Sequence, residues 1–181
     1  MKITIDNELA LRTVAIEDAQ AVFALTDASR EYLREWLPWL DFTKEVADSK
    51  AYIESCIAGF EAQSSLSLVI IFRHEIVGIA GFNAINPSNK TATVGYWLSK
   101  DAQGHGIMTK TVKALMHYAF EELQLNKVEI RAAVGNVKSR AIPERLNFTI
   151  EGTIRDAEWL YDRYVDHVVY GMLAKEWQAL L

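Results

Sequence analysis

Apolar residues recur along the 181-residue chain with two different periods, and the changes of period mark its elements. "LALRTV" at 9–14 reads as a first strand. From 16 to 29 the apolar positions Ala19, Val22, Phe23 and Leu25 fall on one face of a helix. "REYLREWLPWLDF" (30–42) predicts a short aromatic-rich helix broken near Pro38, because the residue before a proline avoids the helical region. A second amphipathic helix follows at 45–60, with Val46, Ile53, Ile57 and Phe60 on one face.

After residue 64 the pattern becomes β-rich. The stretch 65–85 holds two strand-like runs with "RHE" between them, which predicts a hairpin. "NPSNK" (86–90) is a turn and "TATVGYWLS" (91–99) a third strand. Gly95 inside that strand predicts a bulge or a close backbone approach. A long helix follows over about 105–123, striped by Met108, Val112, Leu115, Met116, Ala119, Phe120 and Leu123. Then come a strand at 127–134, a short helix at 136–147, and two strands joined by a polar turn over 148–177. The order β-α-α-β-β-β-α-β-α-β-β implies a mixed sheet covered by helices, of α/β or α+β class. There are no repeats or linkers, so one domain over 1–181 is expected.

Composition narrows the classes. Half the residues are hydrophobic and 24% charged, as in a soluble globular chain. The net charge of −5 argues against a nucleic-acid or anionic-membrane surface. Cys56 is the only cysteine, which excludes an internal disulfide and a cysteine-based zinc site and fits a reducing cytoplasm. "MKITIDNELALRTV" lacks the sustained apolar core of a signal peptide, and the longest apolar run, "LVIIF" (68–72), is too short to span a bilayer. His74, His105, His117 and His167 are scattered without metal-ligand spacing, so no metal is expected, and no G-x-S-x-G elbow is present.

The chemistry concentrates in "QGHGIMT" (103–109), between the third central strand and the long helix. The first N–H groups of a helix have no partner within it, and with the helix dipole they suit an anion. Glycines at 104 and 106 let an anion approach the backbone, and Lys110 and Lys113 could add charge. A glycine-rich turn that merely starts a helix is the bland alternative. Two nucleotide motifs fail here. The P-loop and the dinucleotide fingerprint both need glycine where Thr109 stands.

Gln103-Gly104-His105-Gly106-Ile107-Met108 resembles the coenzyme A turn Q/R-x-x-G-x-G/A of the GNAT superfamily of N-acetyltransferases, with Met108 departing at the last position. "TATVGYWLS" resembles that family's fourth strand. "NVKSRAIPERLNF" resembles its later N-x-x-S…E-R/K-L-G-F segment, with Asn147 in place of glycine. "REYLREWLPWLDF" resembles the acceptor-side segment of the RimJ/RimL branch, the ribosomal-protein alanine/serine N-acetyltransferases. The resemblance runs from about residue 9 to 175. It implies a mixed, mostly antiparallel twisted sheet of about six or seven strands, splayed at the fourth and flanked by about four helices.

It further implies acetyl-coenzyme A as co-substrate, a direct attack by a primary amine, and these binding residues: Trp97 and Leu98 for the pantetheine arm, the N–H groups of Gly104, His105, Gly106, Ile107, Met108 and Thr109 for the pyrophosphate, with Gln103 opening the turn. Asn136 is expected both to cap its helix and to face the pantetheine arm. Ser139 is the candidate proton donor to the leaving thiolate. Pro143 leaves the Ser139 carbonyl without a partner inside the helix. One departure bears on mechanism. The branch carries a glutamate, its proposed general base, where this chain has Thr93, and a hydroxyl can only orient a water there. Glu158, Asp156 and Glu35 are alternative carboxylates without motif support. Trp36, Trp39, Tyr96, Trp97 and Trp159 either line the acceptor cleft or pack in the core.

The expected activity is therefore acetyl transfer to a protein N-terminal α-amine in the cytoplasm, with a possible homodimer through the C-terminal strands. A coenzyme A-binding protein with little catalysis, and an acetyltransferase for an antibiotic or polyamine, remain open beside it.

Overall fold

The computed structural model describes residues 1–180. Eight strands form one sheet: β1 (Lys2–Thr4), β2 (Leu9–Thr13), β3 (Leu66–Phe72), β4 (Glu75–Asn86), β5 (Thr91–Leu98), β6 (Lys127–Ala133), β7 (Thr149–Leu160) and β8 (Arg163–Leu173). Their spatial order is β1-β2-β3-β4-β5-β6-β8-β7, and every neighbouring pair is antiparallel except β5 with β6. The helices are α1 (Ala19–Ala28), α2 (Arg30–Arg34), α3 (Val46–Glu61), α4 (Ile107–His117), α5 (Val137–Arg145) and α6 (Ala174–Gln178). The sheet thus has one strand more than the seven expected at most. The extra one, β1, is three residues long and too short to show a period.

Local chemistry explains the boundaries. Leu37, ahead of Pro38, is extended (φ −124°, ψ 90°), and a short 3-10 turn at Pro38–Phe42 follows, so the aromatic segment breaks where the proline demands. Asp48 starts α3 by accepting the N–H groups of Lys44 (2.8 Å) and Glu45 (3.0 Å). Arg73 and His74 both have positive φ (51° and 73°), the backbone of a tight two-residue hairpin, and Glu75 already belongs to β4. The helix α4 continues from Tyr118 to Glu122 as a wider π-type turn. Residues 174–177, read in sequence as strand, instead form α6, because Glu176 reaches back to the N–H of Leu173 and caps a new helix.

The two sheet faces carry separate cores. On one, α4 lays Met108, Val112, Leu115, Met116, Ala119 and Phe120 against Val94, Val128, Ile130 and Tyr170. Val112, Leu115 and Met116 are wholly buried, each stabilising the fold by roughly 1.5–3 kcal/mol. On the other face, Val22 of α1 and Ile53 and Cys56 of α3 pack on Val69 and Ile79. Phe60 falls outside this core at 44% exposure, on a surface groove it lines with Thr13, Val14, Cys56 and Ser67.

Gly95 does not carry a bulge. The register shift lies on β4 between Phe82 and Ala84, opposite Val94 and Thr93, and the glycine, which pairs with Gly81, instead leaves room for the Asn83 side chain. The close approach at Gly95 is thus made by a side chain and not by backbone as expected.

Candidate functional site

The parallel seam between β5 and β6 pairs Thr91 with Lys127, Ala92 with Val128, Thr93 with Glu129 and Val94 with Ile130, and then stops. Beyond it, Gly95–Leu98 continues to pair with β4 and Arg131–Ala133 with β8. The facing edges of β5 and β6 are left without a strand partner. A cleft of about 720 Å³ opens there. Its floor includes Tyr96, Trp97 and Leu98, one wall Asn136, Ser139 and Arg145, and the other Tyr32, Trp36 and Leu37.

The glycine turn closes one end. Gly104 (φ 82°) and Gly106 (φ 70°, ψ 7°) are both left-handed, and Gly106 immediately precedes α4. A Cβ at either would meet nothing within 4 Å. Among the described residues, none of the N–H groups from Gly104 to Thr109 has an acceptor. Gln103 Nε2 is likewise buried without a partner at this end. Unpaired donors, open space and a helix start together form a cradle for a phosphate-bearing ligand. Lys110, Lys138 and Arg145 line the cleft and add positive charge. Lys110 is held 2.7 Å from Asp6, Lys138 3.3 Å from Gln103 Oε1, and Arg145 3.4 Å from Thr109 Oγ1.

The structure brings together Trp97, Leu98, Gln103, Gly104, Gly106, Ile107, Met108, Thr109, Asn136 and Ser139 in the cleft lining. His105 contributes only main chain at the turn, since its ring stacks on Phe72 (centroids 5.8 Å apart). Lys113 and Thr93 do not line the cleft. Thr93 lies on the opposite sheet face from Val94, beside Glu129, a half-buried carboxylate that sequence reading did not single out. Trp36, Tyr96 and Trp97 line the cleft, while Trp39 backs Trp97 (centroids 6.2 Å apart). Trp159 does neither. It is 53% exposed and meets Tyr164 edge-on.

The serine wall is built in detail. Asn136 caps α5, its Oδ1 accepting the Ser139 N–H at 3.1 Å. The Tyr96 hydroxyl donates to the Ser139 carbonyl oxygen at 2.9 Å, and Ser139 Oγ lies 3.4 Å from that hydroxyl. Burial pushes the Tyr96 phenol up to about 12, so it stays protonated. Behind it, Arg140 Nε donates to the Tyr170 hydroxyl (2.9 Å), which donates to Glu144 (2.7 Å) and ties α5 to β8.

Of the carboxylates considered from sequence, Glu35 and Asp156 are exposed. Glu158 is half-buried, and its Oε2 lies 3.2 Å from His167 Nε2. The end of that hairpin adjoins the aromatic wall: Tyr161 donates to the carbonyl of Leu37 (3.2 Å), and the Arg34 guanidinium lies over the Tyr161 ring at 3.9 Å. The signal missed was the spacing of Lys138, Ser139, Ile142 and Arg145, which is helical and puts all four on one face of α5.

Residues 8–149 match the family described as the acetyltransferase (GNAT) domain. YdaF of Bacillus subtilis (strain 168) is 32% identical over 179 residues, covering 97% of this chain and 96% of that protein. The ribosomal-protein-serine acetyltransferase of Escherichia coli (strain K12) is 29% identical, covering 94% and 96%. RimL, a ribosomal L7/L12 alpha-N-protein acetyltransferase solved in complex with coenzyme A, superposes with a TM-score of 0.94 at 28% identity, covering 97% of this chain and 99% of that one.

Proposed function

The chain belongs to the acetyltransferase (GNAT) domain family, and on that premise we propose that it is an acetyl-coenzyme A-dependent N-acetyltransferase for the N-terminal α-amine of a ribosomal protein. One observation carries the reading: the run of unpaired N–H groups from Gly104 to Thr109 opens directly onto the unpaired edge of β5. The first suits a pyrophosphate and the second an extended amide-bearing arm. The kinship with the E. coli ribosomal-protein-serine enzyme and with RimL supports the acceptor class.

Bound acetyl-coenzyme A supplies an activated thioester. The chain's own residues do the rest. Main-chain groups of Trp97 and Leu98 and the side chain of Asn136 align the arm, and Ser139 Oγ offers a proton to the sulfur as the carbon–sulfur bond breaks. Glu158, paired with His167 (3.2 Å) on the hairpin whose Tyr161 docks on Leu37 of the cleft wall, is our candidate to take the proton released by the attacking nitrogen. An α-amine has a pKa of about 7.7–8.0, so freeing it at pH 7 costs only about 1 kcal/mol. A lysine amine, near 10.4, costs more than ~4 kcal/mol. A single carboxylate base is thus adequate for an α-amine and poorly matched to a lysine side chain.

We read the 181 residues as one cytoplasmic domain that needs no metal, nucleic acid or membrane. A homodimer is supported by the edge position of β7 and the exposed Ile150, Ile154, Trp159 and Tyr164. Light scattering tests that point.

The central test measures acetyl-coenzyme A binding by calorimetry against ATP and NAD, then acetyl transfer to peptides with a free N-terminal serine or alanine. Transfer to the peptide α-amine at pH 7, faster than to lysine, is expected. Binding without transfer would point instead to a coenzyme A-binding module, and preference for a polyamine or aminoglycoside to a small-molecule enzyme.

A further inference from the structure

Pro143 has no N–H, so the carbonyl of Ser139, four residues earlier, has no partner inside α5. That carbonyl is half-buried against the cleft and needs a donor. Tyr96, from the neighbouring β5, supplies it at 2.9 Å. A phenol has one proton. With that proton committed to the carbonyl, Tyr96 can only present a lone pair to Ser139 Oγ, 3.4 Å away.

We propose that Tyr96 is a positioning residue, which acts through Ser139 by holding its hydroxyl as a proton donor, and that Pro143 creates the vacancy that lets it do so. This rests on Ser139 serving the sulfur as described above. Serine hydroxyls in helices ordinarily fold back to a carbonyl three or four residues earlier. Tyr96 competes for that proton and keeps it on the cleft side. The 3.4 Å contact is long and weak, whereas a hydrogen bond to a developing thiolate is charge-assisted and stronger. The Ser139 proton can therefore turn from the phenol to the sulfur at little cost. Tyr96 itself keeps its proton throughout and touches no reacting atom.

The test compares the wild type with Tyr96→Phe, Ser139→Ala and the double variant. Two quantities are read: kcat and KM for acetyl transfer to an N-terminal serine peptide, and the pKa of the thiol of bound coenzyme A, followed by thiolate ultraviolet absorbance. Tyr96→Phe is expected to lower kcat roughly tenfold, about the worth of one hydrogen bond, with KM for acetyl-coenzyme A unchanged. That loss should vanish in the Ser139→Ala background, and both single variants should raise the pKa of the bound thiol. An equal loss in the Ser139→Ala background, or an unaltered thiol pKa in Tyr96→Phe, would overturn the proposal. If Tyr96→Phe does not fold, Pro143→Ala tests the same contact, because it returns an N–H to the Ser139 carbonyl. It should lower kcat severalfold without weakening coenzyme A binding, and an unchanged kcat would count against the device. The thiol titration needs no acceptor, so it stands even if the wild type acetylates no peptide. In that case the assigned activity has failed rather than the role of Tyr96.

Discussion

Gly81 and Gly95 face one another across β4 and β5, yet they are glycine for different reasons. A Cβ at position 81 would overlap the main-chain carbonyl of Leu66 on β3, whereas one at 95 would overlap only the Asn83 carboxamide. A carbonyl fixed in a sheet cannot move aside, and an exposed asparagine can. Gly81→Ala should therefore destabilise the fold by on the order of 3 kcal/mol, and Gly95→Ala by under about 1 kcal/mol. Urea unfolding of the two variants, at unchanged slope, checks the difference.

The turn before α4 gives a second contrast, between affinity and turnover. Gly106 has a left-handed backbone with open space where a side chain would be. Alanine there meets no neighbour, but the left-handed conformation costs it roughly 1–2 kcal/mol. The expected result of Gly106→Ala is a KM for acetyl-coenzyme A raised about tenfold or more, with kcat little altered. Steady-state kinetics with a saturating peptide would show it.

Thr93 adjoins Glu129 in parallel register. Restoring the branch's glutamate with Thr93→Glu would set two carboxylates on adjacent strands about 4.8 Å apart on one face. Like charges at that range raise one pKa and destabilise the pair at neutral pH. The variant should melt lower than the wild type at pH 7, with the gap narrowing at pH 5, and show no gain in turnover. The double variant Thr93→Glu, Glu129→Gln should recover the loss. Differential scanning calorimetry at the two pH values is the check.

Glu158→Gln keeps the shape of the Glu158–His167 contact and removes the base. At pH 7 the loss in kcat/KM should be about 10²-fold. It should shrink as pH rises past about 8, where the α-amine frees itself. A loss constant from pH 6 to 9 would assign Glu158 a structural part only.

The Tyr96 phenol sets an upper pH window. Its folded value, about 12, lies above the ordinary 10.0 because burial disfavours the charged form. The folded state therefore holds this proton more tightly than the unfolded chain. The resulting stabilisation is fully present below pH 10 and is lost as pH rises toward about 12. Tyr96→Phe should flatten that part of the stability–pH curve. The rate profile of the wild type should show no tyrosine-dependent fall near pH 10.

Much of this was legible in sequence because it rests on local rules. The helix break at Pro38, the start of α4 after Gly106 and the Asn136 cap each follow from one residue's backbone or side-chain preference. Pro143 announced an unpaired Ser139 carbonyl, but not the partner, because Tyr96 is 43 residues away in sequence. The same limit hid Glu129 beside Thr93 and Tyr161 against Leu37, which only strand order and hairpin docking bring together. Trp159 misled, because an aromatic residue in a strand pattern does not reveal whether its face is covered.

The short parallel seam has a mechanical meaning. Strand pairing joins β1–β5 to β6–β8 through only four residue pairs, Thr91–Lys127 to Val94–Ile130. Past them no strand pairing ties the two groups together, and the shared core under α4 joins them. An extended arm lying between the open edges would act as a splice, carrying hydrogen bonding from one half to the other. Ligand occupancy would then decide how cooperatively the two halves unfold, and amide exchange along Gly95–Leu98 would slow when the gap is filled.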